Sequence, residues 1–500
     1  MSPLIETCWQ LVEPWSLFLV VLGTTAGVLV GAIPGLTGAM LISLSLPLTY
    51  GMAPEHALIL LISMYVGSIS GGLITATLLR MPGTPASIMT TLDGYPMAQG
   101  GQPGRALGLG VSASFVGGVI SWILLVLLAR PMALAASQMT KFEFFSLTMM
   151  AMALIAAVSG RSLAKGMLSG VLGMLAAMPG TAPTDGQVRW TLGFHQLNNG
   201  LELLPTLIGV FAISQVFKDI VELHREPERV AASTSGIRLK LADWRRHAVN
   251  LVRSSFIGSW VGILPGIGAN IGSVLAYTAA RYFSKEPEKF GHGSEEGIVA
   301  SEAGNNATVG GALVPLISMG IPGSVIDAIL LGALVIHKLQ PGPLLFRDNP
   351  GIVYTIMGAA LLANIFMFVL MIASVGSIAK LMTFPRWLLT PLVIMFCVVG
   401  SYALNNRLFD VGVMLAFGVV GFAFERWRVP LAPFVIGFVL APVAEYNLGA
   451  GLQLAGGSYL PLLTERLCPL FLLIAAGLLV WPLVSRVRQR VRPESQSRND

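Results

Sequence analysis

Charge is scarce in this chain. Asp, Glu, Lys and Arg make up 11% of its 500 residues, against about a quarter in an ordinary soluble domain. So little charge cannot clothe a water-soluble globule of this size. Cysteine is nearly absent as well. Cys8, Cys397 and Cys468 lie far apart, with neither metal-ligand spacing nor a disulfide framework. None of the six histidines pairs with another at metal-ligand spacing, and no nucleophile–base constellation is visible. The phosphate-binding pattern G-x-x-x-x-G-K-[ST] is missing. These absences argue against a metalloprotein, a hydrolase and an ATP-driven machine.

What the chain has is apolar length. It is 54% hydrophobic with a mean hydropathy of +0.75. A membrane-crossing helix needs roughly 20 mostly apolar residues. Trp15–Ile33, Ala57–Leu79, Leu107–Ala129, Phe144–Val158, Leu201–Phe217, Ile352–Val375, Trp387–Leu404 and Leu467–Val484 qualify or nearly do. The expected class is an all-α polytopic membrane protein of about 12 spanning helices, its outer face solvated by lipid. Met1–Pro14 has no Lys or Arg, so the first apolar run is expected to be retained as a helix and not cleaved as a signal.

The net charge of +6 is concentrated. Lys218, Arg225, Arg229, Arg238, Lys240, Arg245, Arg246 and Arg253 crowd one polar stretch. Arg486, Arg488, Arg490, Arg492 and Arg498 crowd the C-terminal end. Basic connections tend to stay in the cytoplasm, and both segments are placed there. Because both flank apolar runs, a nucleic-acid partner is not expected. Four regions follow: a first membrane half at 1–217, a basic connection at 218–250, a second membrane half at 251–485, and a basic tail at 486–500.

The two halves repeat one another. Gly31-Ala-Ile-Pro34-Gly35-Leu-Thr37-Gly38-Ala39 matches Gly262-Ile-Leu-Pro265-Gly266-Ile-Gly268-Ala269-Asn270. Gly71-Gly72 through Pro82-Gly83-Thr84 is echoed by Gly310-Gly311 through Pro322-Gly323-Ser324, and Gln102-Pro103-Gly104 by Gln340-Pro341-Gly342. Three elements recur in one order, so the expected architecture is two pseudo-symmetric halves, with inverted topology. Each Pro-Gly sits in or beside an apolar run. Irregular backbone at that depth is tolerated where protein covers it or a watery cavity receives it. Broken helices in matching places of two repeats point to a transporter's midplane site. Mere kinks or close helix packing are the alternative.

At these residues the sequence resembles the large membrane subunit of the tripartite tricarboxylate transporters, from about Gly23 to the late 470s. The most specific stretches are Met81-Pro-Gly-Thr-Pro-Ala-Ser87 running on to Thr91-Leu-Asp93-Gly94-Tyr95-Pro96-Met97-Ala98, then Glu302-Ala-Gly-Asn305-Asn306, Gly320-Ile-Pro-Gly-Ser324 and Leu339-Gln340-Pro341-Gly342-Pro343. The resemblance implies a permease in the bacterial inner membrane that imports small organic carboxylates on an ion gradient. It also implies two partners, a small four-helix membrane subunit and a periplasmic substrate-binding protein. Two positions depart from that pattern: Arg80 stands where an uncharged amide is expected, and Asp327 where a small hydroxyl residue is expected.

A carboxylate substrate needs sheltered donors, which the N–H groups at a half-helix start provide with a favourable dipole. The candidate substrate-binding residues are Gly35, Thr37, Gly38, Gly83, Thr84, Gly266, Gly268, Asn270, Gly323 and Ser324, with Arg80 as a bidentate clamp. Each hydroxyl could instead bond back to its own helix. Asn305, Asn306 and Asp327 are the candidates for the coupling ion, Na⁺ or H⁺, since an acid in an apolar run is costly and functional by default. Arg80 and Asp327 are expected to face one another across the repeat interface. The alternatives are an inert structural ion pair, or Arg80 at a water-facing helix end. Asn405, Asn406, Arg407 and Asp410 fit a connecting turn. Arg161 and Lys165 would snorkel to one interface. Asp185, Arg189 and His195 fit a surface loop.

No cofactor or metal is expected. Two other functions compete: a self-sufficient Na⁺- or H⁺-coupled carboxylate symporter, and a membrane-embedded enzyme on a lipid-linked substrate. The enzyme would want paired acids, or an acid with a histidine, at a membrane face, and none stands out.

Overall fold

The computed structural model describes residues 3–33, 35–158, 162–221, 235–266, 268–381, 386–403 and 405–491. Pro34, Arg161, Arg225, Arg229, Ile267, Leu404, Arg492 and Arg498, named above, lie outside these residues. The chain runs through α1 (Pro3–Val12), α2 (Pro14–Gly31), α3 (Gly38–Thr49), α4 (Pro54–Leu79), α5 (Ile88–Gln99), α6 (Pro103–Ser137), α7 (Lys141–Val158), α8 (Leu163–Ala177), α9 (Leu203–Ile208) and α10 (Ser214–Val221). It continues through α11 (Leu241–Ile263), α12 (Gly268–Phe283), α13 (Glu295–Met319), α14 (Val325–Ile336), α15 (Pro343–Asp348) and α16 (Pro350–Leu381). It ends with α17 (Arg386–Ala403), α18 (Leu408–Arg426), α19 (Leu431–Leu454), α20 (Pro461–Thr464) and α21 (Cys468–Val491). Strand among the described residues is confined to one short antiparallel pair, Gly180–Thr181 with Val188–Arg189.

Among the described residues, eight helices are long and apolar enough to cross a membrane. Six coincide with runs expected above. Leu408–Arg426 and Leu431–Leu454 are additional, and the runs near 387–404 and 467–484 carry shorter apolar helices, Thr390–Ala403 and Cys468–Val480. This is the all-α polytopic membrane architecture.

The chain forms two compact units. One comprises Met1–Ser137 and Glu202–Ala423, the other Gln138–Leu201 and Phe424–Asp500. Each sequence half therefore contributes to both units.

The first unit is organised on two buried helices, α4 and α13. Both are rich in Gly, Ser and Thr, which lets neighbouring backbones come close. A Cβ on Gly71 would collide with the Val28 carbonyl of α2, and one on Gly311 with the Ser259 carbonyl of α11. The α2–α4 seam and the α11–α13 seam thus meet at corresponding residues. The helices also end alike. At Arg80 (φ 54°) and Gly320 (φ 71°) the chain turns left-handed. Arg80 N bonds back to Thr75 O and Gly320 N to Pro315 O, a six-to-one closure that satisfies a carbonyl of the last turn, and Met81 N and Ile321 N reach the same carbonyls at 3.4 and 3.3 Å.

In the second unit α8 packs on α19, with a Cβ on Gly437 colliding with the Gly170 carbonyl. Arg189 grips Glu445 through both terminal nitrogens at 2.6 Å and donates from Nε to Met178 O. Its stretch, expected as a surface loop, is largely exposed, Asp185 and His195 included, and is tethered to α19 through Arg189. Lys165 Nζ donates to the Trp427 carbonyl.

Candidate functional site

Each irregular segment after a broken helix becomes the start of the next. Thr37 caps α3, its Oγ1 accepting from Met40 N at 3.2 Å. Ser324 caps α14 by accepting from Asp327 N at 3.3 Å. Thr84 opens the short 3-10 turn Pro85–Ser87 ahead of α5, and its N–H donates to Ser87 Oγ at 3.2 Å. The hydroxyls of Thr37 and Ser324 therefore do bond back to their own helices, each satisfying one otherwise unpaired donor. Gly35 (φ 93°), Gly266 (φ 73°) and Gly268 (φ 66°) supply the left-handed backbone that these entries require.

The starts converge. A Cβ on Gly38 would run into the Ser68 hydroxyl of α4 and lie 3.1 Å from Ile326 Cδ1 of α14. One on Gly268 would lie 3.7 Å from Ser324 Cβ. The Tyr65 hydroxyl of α4 lies 3.3 Å from Ser324 Oγ. Thr37, Gly38, Gly268 and Ser324 thus share one neighbourhood with Tyr65. The other corner has the same build. The Pro85–Ser87 turn packs on α12 as α3 packs on α14, and Gly83 is wedged against the Gly31 carbonyl and Thr75. Gly323 would, with a Cβ, come 2.8 Å from the Gly262 carbonyl. Asn270 is exposed on the first turn of α12.

Beside these corners lies a closed polar network. Glu302 of α13 is fully buried; its Oε1 accepts from Thr90 Oγ1 at 2.5 Å and its Oε2 from Ser114 Oγ at 3.0 Å. Asn306 accepts from Ser70 Oγ at 2.6 Å and donates to Ser114 Oγ at 2.8 Å. The network ties α4, α5 and α6 to α13. Asp93 makes a second tie, its Oδ1 accepting from the N–H groups of Gly291, Gly293 and Ser294 at 2.8, 3.0 and 2.8 Å. A carboxylate that gathers three backbone donors fixes the entry to α13. These two acids have structural partners.

The three ion-coupling candidates differ in their hydrogen bonding. Asn306 is saturated by its network. Asn305, its neighbour, is fully buried with neither amide atom hydrogen-bonded, and both carboxyl oxygens of Asp327 are buried in the same condition. The expected Arg80–Asp327 pair is not made. Arg80 is exposed at the end of α4 with its guanidinium 5.8 Å from the Tyr95 ring centroid, whereas Asp327 faces Tyr65 and Ser324. The physical reason is the break itself: Arg80 caps α4 before the turn to Thr84, while Asp327 lies beyond the turn, inside the next helix. Tyr65, Thr90, Ser114 and Ser70 were not picked out from the sequence. Tyr65 stands on α4 where Asn305 stands on α13, a match that the seams at Gly71 and Gly311 reveal and that the pairing of Gly71-Gly72 with Gly310-Gly311 in the sequence misses by one residue.

Asn405, Asn406 and Arg407 do form the turn between α17 and α18, with Asn405 Nδ2 donating to Asp410 Oδ2 at 3.0 Å and Arg407 lying 3.5 Å from Glu202.

Comparison with known proteins agrees with this architecture. Residues 17–436 match the tripartite tricarboxylate transporter TctA family. An uncharacterised 52.8 kDa protein of the TAR-I ttuC' 3' region of Agrobacterium vitis is 30% identical over 468 residues, covering 94% of this chain and 93% of the relative. A second uncharacterised protein, from the TAR-II ttuC' 3' region of the same organism, is 29% identical over 233 residues, 47% of this chain and 96% of the relative. No solved structure matches. With eight helices among its described residues long and apolar enough to cross a membrane, and with its broken, capped helices, this chain belongs to the tripartite tricarboxylate transporter TctA family, a family of membrane transport proteins and not of enzymes.

Proposed function

We propose that this chain is the large permease subunit of a binding-protein-dependent secondary transporter, importing small organic carboxylates across the bacterial inner membrane on an ion gradient. A periplasmic binding protein would deliver the carboxylate, and a small four-helix membrane subunit would complete the permease. The two sequence halves are a duplication, and the substrate binds where their half-helix starts meet.

The observation that carries this reading is the convergence of the entries at Thr37–Gly38, Gly268 and Ser324. Helix starts present N–H groups and the positive end of the dipole, which suits a carboxylate. Gly35, Gly83, Thr84, Gly266 and Gly323 shape those entries, and Asn270 and Arg80 add exposed donors at their margins. The matched seams of α2–α4 and α11–α13 support the duplication, and rocking of one half against the other would give alternating access.

The test is uptake by proteoliposomes holding the purified chain, with and without the two partner proteins. Labelled mono-, di- and tricarboxylates are offered under imposed Na⁺ or pH gradients. Gradient-driven accumulation that requires all three proteins is expected. Accumulation by the chain alone would replace the reading with a self-sufficient symporter, and no accumulation of any carboxylate would overturn it.

A further inference from the structure

The two corners of the site are built alike but end in different chemistry. At Thr84–Ser87 the last residue is a serine, whose Oγ accepts from Thr84 N at 3.2 Å and donates to Thr84 O at 2.8 Å. Its hydrogen-bonding capacity is used within the turn. At Ser324–Asp327 the corresponding residue is an acid. Its backbone N–H makes the cap, and its carboxyl group is left over, fully buried, with no hydrogen bond to either oxygen.

Among the described residues, no charged group answers it. The helices packed on α14 are α3, α4, α9 and α13. Helices α3 and α9 carry no titratable side chain. From α4 comes Tyr65, while Glu55 and His56 sit about 15 Å back along that helix at 1.5 Å per residue. From α13 comes no base, and its Glu302 is engaged by Thr90 and Ser114. Arg80 is exposed over Tyr95. The groups facing Asp327 are the hydroxyls of Tyr65 and Ser324, 3.3 Å apart.

A bare carboxylate in such a place is expensive, because burial removes its hydration and two facing hydroxyls without a cation do not replace it. The first turn of α14 offers a favourable dipole, which offsets a part. The rest calls for a cation. We propose that Asp327, with the hydroxyls of Tyr65 and Ser324, binds one monovalent cation, a proton or Na⁺, as the coupling ion of the transporter proposed above, on which reading this inference rests.

An all-oxygen set built on a carboxylate suits either ion. Coupling then follows from charge. With Asp327 bare, a substrate carboxylate at the start of α14 meets a like charge in low dielectric; with the cation bound, it does not. The other corner ends in Ser87, and the place that Tyr65 takes on α4 is taken on α13 by the neutral Asn305. Only one corner therefore carries a buried acid, so one cation binds per chain.

The test needs no substrate. Purified full-length chain is examined for saturable ²²Na⁺ binding, and by infrared spectroscopy for a protonated carboxyl band that titrates with pH. Asp327→Asn keeps the shape and Asp327→Ser copies the other corner. One ²²Na⁺ per chain, lost in both variants, is the expected result for Na⁺; a carboxyl band absent from both variants is the result for a proton. Tyr65→Phe is expected to weaken whichever ion binds by about tenfold, the value of one hydrogen bond to a charged group. The proposal is overturned if neither signal in the parent protein depends on Asp327. That failure would leave the transport reading untouched, since the reading stands or falls on uptake.

Discussion

At one corner of the site the chain leaves α4 through Arg80 and re-enters a helical turn at Thr84. At the other it leaves α13 through Gly320 and re-enters α14 at Ser324. The backbone does the same thing twice, with a left-handed residue, a six-to-one closure and a Pro-Gly, and a hydroxyl closes each re-entry, Ser87 Oγ accepting from Thr84 N at one and Ser324 Oγ from Asp327 N at the other. The side chains do not. Serine at 87 is consumed by its own turn, whereas the acid at 327 is left with a buried, unanswered carboxyl. The difference separates two jobs. Backbone geometry makes a polar break inside an apolar bundle, and the side chain at its end sets which charge that break can hold.

The strongest way to break the comparison is at the helix seams. Gly71 of α4 sits on the Val28 carbonyl, and Gly311 of α13 on the Ser259 carbonyl, with no room for a Cβ at either. Gly71→Leu and Gly311→Leu should each cost about 3 kcal/mol, the upper range of overpacking, because backbone and not a yielding side chain stands in the way. Thermal unfolding of the purified protein in detergent measures it. Similar losses are expected; tolerance of one substitution alone would end the equivalence of the seams.

A smaller effect should distinguish two buried polar residues three apart on α13. Glu302→Ala removes the acceptor of both Thr90 and Ser114, leaves them Ser301 and Asn306 alone, and opens a cavity, for about 2 kcal/mol. Asn305→Ala removes a buried amide with no partner, and relief of that unpaired group offsets most of the small cavity left, so the loss should be smaller, about 0.5 kcal/mol. If transport nevertheless falls in Asn305→Ala, that amide serves the substrate or the ion and not the fold.

Much of this arrangement was legible because proline and glycine leave signatures that do not depend on neighbours. The Pro-Gly motifs located every break, and Thr37, Thr84 and Ser324 stood where caps belong. What stayed hidden was set by contacts across the chain. Nothing local marks Ser70 and Ser114 as partners of Asn306, since serines in apolar helices commonly bond to their own backbone, as Ser68 does to Tyr65 O at 2.9 Å. Asp93 looked like part of a motif, and its role of holding the Gly291–Ser294 entry is visible only once α5 meets that loop. The interleaving of both halves in two compact units has no sequence marker either, because apolar runs do not say which others they pack on. The pairing of Arg80 with Asp327 failed for a related reason. Opposite charges at nearly matching repeat positions suggested an encounter, but one lies before its break and the other after.

Arg80 provides the finest test of the comparison. Its place in the second half is Gly320, and both residues are left-handed, at φ 54° and φ 71°. An L-residue other than glycine is strained there by about 1 kcal/mol. Arg80→Gly should relieve that strain but lose the guanidinium's position over Tyr95, worth about 0.5 kcal/mol at an exposed site. The net expectation is a gain of about 0.5 kcal/mol, read as a small rise in unfolding temperature. Gly320→Ala should go the other way by about 1 kcal/mol, since the nearest atom to a new Cβ, 3.4 Å away, leaves room and only the backbone strain is felt. Opposite signs at the two positions would establish that both helices end by the same backbone device and that arginine at position 80 is kept against its local cost. In that case Arg80→Gly should also slow carboxylate uptake while stability rises. If uptake is unchanged, the guanidinium is a surface charge at a water-facing helix end, and the substrate contacts lie wholly among the capped entries.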